Sequence, residues 1–320
     1  MGVSMNILKE LVDSVRNEEY VYIQTHNFPD HDAVASAFGL QYLLRQFGKA
    51  SHIIYEGDIQ RDSLNKMIED LNIHIRHNEE HYLAENHKII IVDGCKGNKN
   101  VTDLVGDEIA VIDHHEVTAT EDVRFVDIRP EYGACSSIIY DYFREYNLTV
   151  PRDVATALMI GINMDTALLT RGVSEADVQA YADLYPLADI RLQNSLLRNY
   201  IQTKDLEFYR YAINNVEIKN EVAFCYFPEG CNQNLLGILG DFFLALEEVD
   251  FVVLCAKNQG RINFSVRNEK KEWNAALIIQ DVLKGIGFGG GHQDMAGGII
   301  NDLNNFDEKE IFGKFYTQLR

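Results

Sequence analysis

YVYIQTHNFPDHDAVASAFGLQYLLRQFG, residues 20–48, is the stretch whose reading decides the fold. Its first seven residues form a short, mostly apolar run rich in aromatic and β-branched side chains, the pattern of a strand buried on both faces. After Asn27-Phe28-Pro29 the spacing changes, and from residue 32 to about 47 the apolar positions repeat with a helical period. Strand, tight turn, helix is the opening of a parallel α/β unit, because parallel neighbours need a crossover that a helix supplies.

The same grammar continues outward. KIIIVDGC (88–95) and EIAVIDHH (108–115) read as further buried strands, and helical patterns lie at about 60–71, 134–146 and 151–162. The expectation is an α/β fold whose first domain, residues 1–190, is a doubly wound parallel sheet. A predominantly helical stretch from about 175 to 212 follows, with 191–215 read as a linker between two lobes. From residue 216 to 320 the pattern is that of a smaller α/β domain. EVAFCYF, VDFVVLCAK and RINFSVRN read as strands with a turn at Asn258-Gln259-Gly260, then come a helix from Trp273 to Lys284, a glycine-rich turn over 285–291, and a last strand and helix.

Composition narrows the function classes. With 46% apolar residues among 320, a substantial core can be buried. The formal charge of -20, from 29 basic and 49 acidic residues, repels a long polyanion, so coating of long nucleic acid is disfavoured while small anionic substrates remain open. The 5 cysteines form no CxxC pair, which disfavours structural zinc and a disulfide framework and implies a reducing compartment. No apolar run is long enough to span a bilayer and the N-terminal segment has no signal-peptide apolar region, so the expected location is cytoplasmic, without membrane contact.

Potential metal ligands follow the apolar segments of the first lobe. Residues 20–26 run into His26, Asp30 and Asp32; residues 88–92 into Asp93; residues 108–112 into Asp113, His114 and His115; and MIGINMD into Asp165. The carboxyl ends of neighbouring parallel strands lie along one edge of a sheet, so such residues can converge from afar in sequence. A single aspartate after a strand is more often a helix cap or loop residue, and a histidine pair is usually a surface or core feature. Four ligand-bearing segments in this order tip the balance. Carboxylates with imidazoles and no thiolates suit Mn²⁺, Fe²⁺ or Mg²⁺ better than structural zinc, and so many acids together need cations to offset their repulsion.

At this point the residues resemble a known family, the DHH phosphoesterases, through HNFPDHDAVASA (26–37), VDGC (92–95), IDHH (112–115) and NMDTALLT (163–170). FSVRN (264–268) and GGGHQDMAGG (289–298) are similar to the substrate-binding signature of the DHHA1 associated domain. Within the family the resemblance leans to bacterial nanoRNases and pAp phosphatases. It implies two divalent metal ions, most readily Mn²⁺: His26, Asp30 and Asp93 holding one, Asp32, Asp93, His114 and Asp165 the other. It also implies that His115 faces the scissile phosphate, that Asp113 orients the histidine pair, and that Arg267 with Gly289, Gly290, Gly291 and His292 grips substrate from the opposite lobe across a cleft. Substrates would be small nucleotides or RNA of 2–5 nucleotides, and relatives are commonly homodimers. Phe288 stands where the family often has a fourth glycine, and Met295 where alanine is common, so substrate preference transfers least safely.

Several readings stay open. A phosphodiesterase for cyclic di-AMP, pApA or pGpG would use the same centre, as would an inorganic pyrophosphatase or exopolyphosphatase, whereas a non-enzymatic nucleotide-binding module would predict a missing ligand. Arg129 and Arg171 follow motifs closely enough to reach the site but suit salt bridging as well. Tyr132, Tyr140, Tyr142 and Trp273 are expected to pack rather than react.

Overall fold

The computed structural model describes residues 4–59, 61–198 and 201–319. It divides into two compact units, Met1–Tyr200 and Ile201–Arg320.

In the first unit the elements run α1 (Ser4–Ser14), β1 (Tyr20–Gln24), α2 (His31–Gln46), β2 (Ala50–Tyr55), α3 (Asp62–Asp70), β3 (Ile75–His77), β4 (Lys88–Val92), β5 (Asp107–Asp113), β6 (Phe125–Ile128), α4 (Cys135–Glu145), α5 (Arg152–Asp165), α6 (Glu175–Leu184) and α7 (Ile190–Arg198). The six strands pair in the order β3-β2-β1-β4-β5-β6, all parallel. The chain steps outward one way from β1 through β2 to β3, then returns to β1's other side to lay down β4. That reversal opens a crevice beyond the carboxyl ends of β1 and β4, where open α/β sheets place their ligands.

Side chains alternate across these strands as the period of two requires. Val21, Ile23, Ile53, Ile90 and Val92 join the large core formed with the helices, in which Leu40, Leu43, Ile139, Leu158 and Ile162 are fully buried. Tyr22, Ile54, Ile89, Ile91 and Val111 face the other way and pack under the connecting segments with Cys95, Val101 and Val123. All five cysteines are buried and unpaired. No helix among the described residues is long and apolar enough to cross a membrane.

In the second unit α8 (Leu206–Asn215), β7 (Glu217–Lys219), β8 (Val222–Phe227), α9 (Gln233–Leu244), β9 (Phe251–Asn258), β10 (Arg261–Asn268), α10 (Ala275–Val282), β11 (Phe288–Gly291), β12 (Met295–Ile300) and α11 (Glu308–Gln318) build a sheet ordered β11-β12-β10-β9-β8-β7. Only β8 and β9 run parallel; the other neighbours are antiparallel. Phe251, Val253, Cys255, Phe264 and Val266 meet α10 and α11, while Val252, Leu254 and Ala256 meet α9 on the opposite face.

Local details refine the sequence reading. The helix expected over 60–71 is α3; Gln60, at its start, lies outside the described residues. The stretch 191–215 is shared between the units: α7 packs on α3 and α5, and α8 on β8, with Asn199 and Tyr200 outside the described residues. The glycine-rich segment over 285–291 is not one turn, because Phe288–Gly291 is a strand paired with β12. Glycines are required there by packing, since a Cβ on Gly289 would come within 2.9 Å of Ile279 in α10, and one on Gly298 within 2.6 Å of Leu283.

Candidate metal centre

The centre forms at the crevice between β1 and β4. His26 lies just beyond β1; its Nδ1 donates to the Asn27 carbonyl at 2.9 Å, leaving Nε2 pointing 3.7 Å from Asp93 Oδ2 and 3.8 Å from Asp30 Oδ1. A carbonyl can only accept, so the proton belongs on Nδ1 and Nε2 is the ligand atom.

Asp30 is the N-cap of α2, accepting from the amides of Asp32 and Ala33 at 3.0 and 3.1 Å. Asp32 follows in that helix's first turn and is fully buried. Its two oxygens accept from the amides of Cys135 (2.6 Å) and Ser136 (3.0 Å) at the start of α4, whose own N-cap, Ala134, offers no side-chain acceptor. One carboxylate thus caps α4 from α2, satisfying amides that the helix itself leaves unpaired. The onset of α2 at His31 places Asp30 at the cap and Asp32 inside the helix.

Asp93 follows β4 with a left-handed backbone (φ 55) and is nearly inaccessible. Aspartate tolerates that region better than most residues, and such strain concentrates at functional sites. Beyond β5, Asp113 Oδ1 accepts from the His114 amide (2.8 Å), the His115 amide (3.2 Å) and His115 Nδ1 (2.8 Å), which fixes the backbone of both histidines and the imidazole of His115. His114 Nδ1 bonds to the Tyr132 carbonyl at 3.2 Å, aiming Nε2 at Asp93 Oδ1 (3.3 Å) and Asp165 Oδ2 (3.2 Å). Asp165 closes the set from the last residue of α5, not from a strand end, because the apolar run before it is helical throughout.

Three overlapping ligand groups result: His26, Asp30 and Asp93; Asp93, His114 and His115; and Asp32, His114 and Asp165, the donor atoms of each within 4.8 Å of one another. Asp93 Oδ1 and His114 Nε2 are buried without a hydrogen-bond partner. Buried polar atoms are rarely left so, and a cation is what this arrangement of carboxylates and imidazoles fits.

The electrostatics agree. Burial alone would lower the pKa of His26 and His114, but Asp30 and Asp93 push the first up to about 10, and Asp165 and Asp93 push the second up to about 12. Burial, reinforced by neighbouring carboxylates, raises Asp165 to about 6 and Asp32 well above the usual carboxylate range. His115 is raised chiefly by its bond to Asp113. Without cations the cluster holds protons in place of positive charge.

Contacts behind the ligands hold them in place. Arg129 donates to Asp127 at 2.7 Å and to Asp141 at 2.9 Å, Tyr142 donates to Asp127 at 2.6 Å, and Tyr132 to Asp141 at 2.6 Å. This network holds the turn that carries the Tyr132 carbonyl, and so orients His114. Gly161 of α5 lies against Asp32, where a Cβ would stand 2.6 Å from Oδ1. Arg129 thus pairs with acids, as one reading expected; Trp273 packs edge-on to Phe251 at 5.8 Å.

In the second unit Arg267 of β10 donates from Nε to Asp241 (2.6 Å) and from Nη1 to Ser265 Oγ (3.1 Å). Gly289, Gly290 and Gly291 line β11, and His292 follows in the connection to β12, its amide donating to the Met295 carbonyl at 2.7 Å.

Residues 20–162 match the family model described as the DHH family, N-terminal domain, and residues 219–309 match the DHHA1 domain. The chain carries a DHH-family N-terminal domain followed by a DHHA1 domain. An uncharacterized protein of Methanocaldococcus jannaschii is 32% identical over 86% of this chain and 56% of its own length. A probable manganese-dependent inorganic pyrophosphatase of Streptococcus thermophilus is 30% identical over 54% of this DHH chain and 57% of its own. The chain therefore spans little more than half the length of these curated relatives. Among solved structures, an exopolyphosphatase-related protein of Bacteroides fragilis superposes with a TM-score of 0.76 at 17% identity, over 99% of this chain and 95% of that one. RecJ of Thermus thermophilus superposes with a TM-score of 0.58 at 14% identity, over 98% of this chain and 54% of that one. At such identities the likeness concerns the two-domain DHH–DHHA1 fold.

Proposed function

We propose that this DHH chain is a manganese-dependent phosphoesterase with two metal ions, acting on short oligoribonucleotides and 3′-phosphoadenosine 5′-phosphate. The observation that carries the reading is the Asp93 carboxylate, one oxygen toward His26 and the other toward His114, with Asp30 on the first side and Asp32 and Asp165 on the second. A paired centre of this kind, when loaded, supplies an activated water and neutralises charge on the phosphoryl oxygens.

The chain's own residues set the rest. His26 and His114 are held in the tautomer that offers Nε2, and Asp32 is fixed by the α4 amides. His115 is partly exposed and carries its Nδ1 proton toward Asp113, which favours the imidazolium form, and in that form Nε2 would donate to a phosphate oxygen as negative charge develops. Arg267, held by Asp241 and Ser265, would contribute its positive charge to a second phosphate, and Gly289–Gly291 with His292 would receive the nucleoside.

A second reading, inorganic pyrophosphatase, is favoured by the Streptococcus thermophilus relative, whose likeness covers part of the chain. Phosphodiesterase action on cyclic di-AMP, pApA or pGpG would use the same centre. Hydrolysis assays with manganese on pAp, pApA, pGpG, cyclic di-AMP, short RNA and pyrophosphate separate these. Turnover of pAp and short RNA supports the proposal; turnover of pyrophosphate alone replaces it with the second reading, and inactivity on all of them removes the enzyme assignment.

A further inference from the structure

One buried carboxylate of the first unit does more than cap a helix. Asp177, the third residue of α6, is fully buried. Its Oδ2 accepts from the Ser174 amide (2.8 Å) and the Ser174 hydroxyl (2.6 Å), completing the reciprocal cap of that helix. The same oxygen also accepts from the Gly133 amide at 2.8 Å, a bond across 44 residues that the cap does not need. Each of these donors is a neutral group, and Asp177 Oδ1 is buried without a hydrogen-bond partner. The negative charge is therefore expressed through the dipoles of the donors.

The Gly133 N–H and the Tyr132 carbonyl are the two ends of one peptide group. That carbonyl accepts from His114 Nδ1 at 3.2 Å, and His114 Nε2 is the atom aimed at Asp93 and Asp165. A trans peptide is planar with its N–H and C=O pointing opposite ways, so Asp177, the peptide and His114 form one line of hydrogen bonds. A carboxylate at the N–H end polarises the peptide, makes its carbonyl a stronger acceptor, and so makes the imidazole a stronger electron-pair donor at Nε2. Ligand histidines commonly receive this support from a carboxylate bonded directly to the other ring nitrogen; here a peptide is interposed.

Packing keeps that peptide in place. A Cβ on Gly133 would stand 2.6 Å from the Gly172 carbonyl, 2.8 Å from the Thr166 methyl and 2.9 Å from Asp177 Oδ2, so only glycine admits both the carboxylate and the turn that follows Asp165. The other ligand histidine is served differently. His26 Nδ1 donates to the Asn27 carbonyl at 2.9 Å, and the amide of that same peptide, on Phe28, donates to the Glu56 carbonyl at 2.8 Å. One line ends in a charge, the other in a neutral carbonyl. We propose that Asp177 is a positioning residue that strengthens His114 as a metal ligand through the Tyr132–Gly133 peptide, and so tunes one of the two metal positions and not the other. The assignment rests on the two-metal reading given above.

The test is calorimetric titration of the metal-free full chain with Mn²⁺ for the wild type, Asp177→Asn and Ser174→Ala, with urea unfolding of each. Asp177→Asn keeps the size and an acceptor oxygen but removes the charge. One of the two Mn²⁺ affinities should fall about tenfold, the low end of the effect of a carboxylate bonded directly to a ligand histidine, while the other stays within about twofold. Ser174→Ala weakens the cap of α6 and leaves the bond to Gly133, so it should lower the urea midpoint and leave both affinities unchanged. Unchanged affinities in Asp177→Asn, a fall in both together, or a fall of equal size in Ser174→Ala overturns the proposal, while two ions taken up by the wild type leave the paired centre standing. Fewer than two ions in the wild type overturns both. Should Asp177→Asn not fold, the wild type labelled with ¹⁵N-glycine decides. Diamagnetic Zn²⁺ on His114 should draw the Gly133 amide proton downfield, and an unmoved resonance overturns the proposal.

Discussion

Asp93 Oδ1 lies 3.3 Å from His114 Nε2, and neither buried atom has a hydrogen-bond partner. Two polar atoms left facing each other in a water-poor crevice would be costly unless a third charge sat between them. The other Asp93 oxygen lies 3.7 Å from His26 Nε2, so one carboxylate connects both ligand groups.

Metal uptake should rise with pH. In the metal-free chain the carboxylates outweigh burial and hold His26 protonated up to about pH 10 and His114 to about pH 12. Ligation needs neutral imidazoles, so below those values cations compete with protons for the same Nε2 atoms. Affinity for Mn²⁺ measured at pH 6, 7 and 8 should increase about tenfold per pH unit for each proton displaced, with proton release visible as a dependence of the heat on buffer. A pH-independent affinity would contradict the assignment of these histidines as ligands.

Gly161→Ala should disturb both fold and site. The added Cβ would stand 2.6 Å from Asp32 Oδ1 and crowd Ser136 Oγ where α2, α4 and α5 meet. Overpacking of this sort costs about 1–3 kcal/mol, read as a lower denaturant midpoint of the metal-free chain. Because Asp32 must shift, Mn²⁺ affinity should fall as well; an unchanged midpoint with unchanged affinity would rule out the close contact.

Arg129→Ala should be more damaging to stability than an ordinary surface change. Asp127 and Asp141 have side chains only 8% exposed, and both would lose their guanidinium partner. Removing one partner from such a buried pair costs about 3–5 kcal/mol. Urea unfolding of the variant measures it, and a loss below about 1 kcal/mol would place Arg129 among surface ion pairs.

Arg267→Ala should raise KM for pApA with little change in kcat, and Arg267→Lys should fall between, since an ammonium lacks the planar fork. A variant that lowers kcat at constant KM would move Arg267 from phosphate binding to the chemical step.

Much of the centre could be read from the chain because parallel strands end in the ligands: Asp93 and the Asp113-His114-His115 run each follow a continuous apolar segment. Less legible were strands whose polarity or brevity hides them. ASHIIY of β2 opens on polar residues, β3 has three residues, and β6 has four. Strand β11 escaped for a different reason, since Phe-Gly-Gly-Gly has turn composition and becomes a strand only through pairing with β12. Asp165 was assigned as a ligand candidate but beyond its helix, because a carboxylate at a helix end resembles one in a loop when only sequence is read. The supports of the site left no motif at all: the Tyr132 carbonyl, the α4 amides and the space at Gly161 are backbone features brought together by tertiary packing.

Manganese titration of the apo chain, followed by calorimetry with bound metal quantified after dialysis, probes the bridging carboxylate itself. The wild type should take up two ions per chain, and Asp93→Asn, nearly identical in size, should lose both together, because its amide cannot serve two cations at once. Two ions retained in Asp93→Asn, or no uptake by the wild type, would contradict the paired centre.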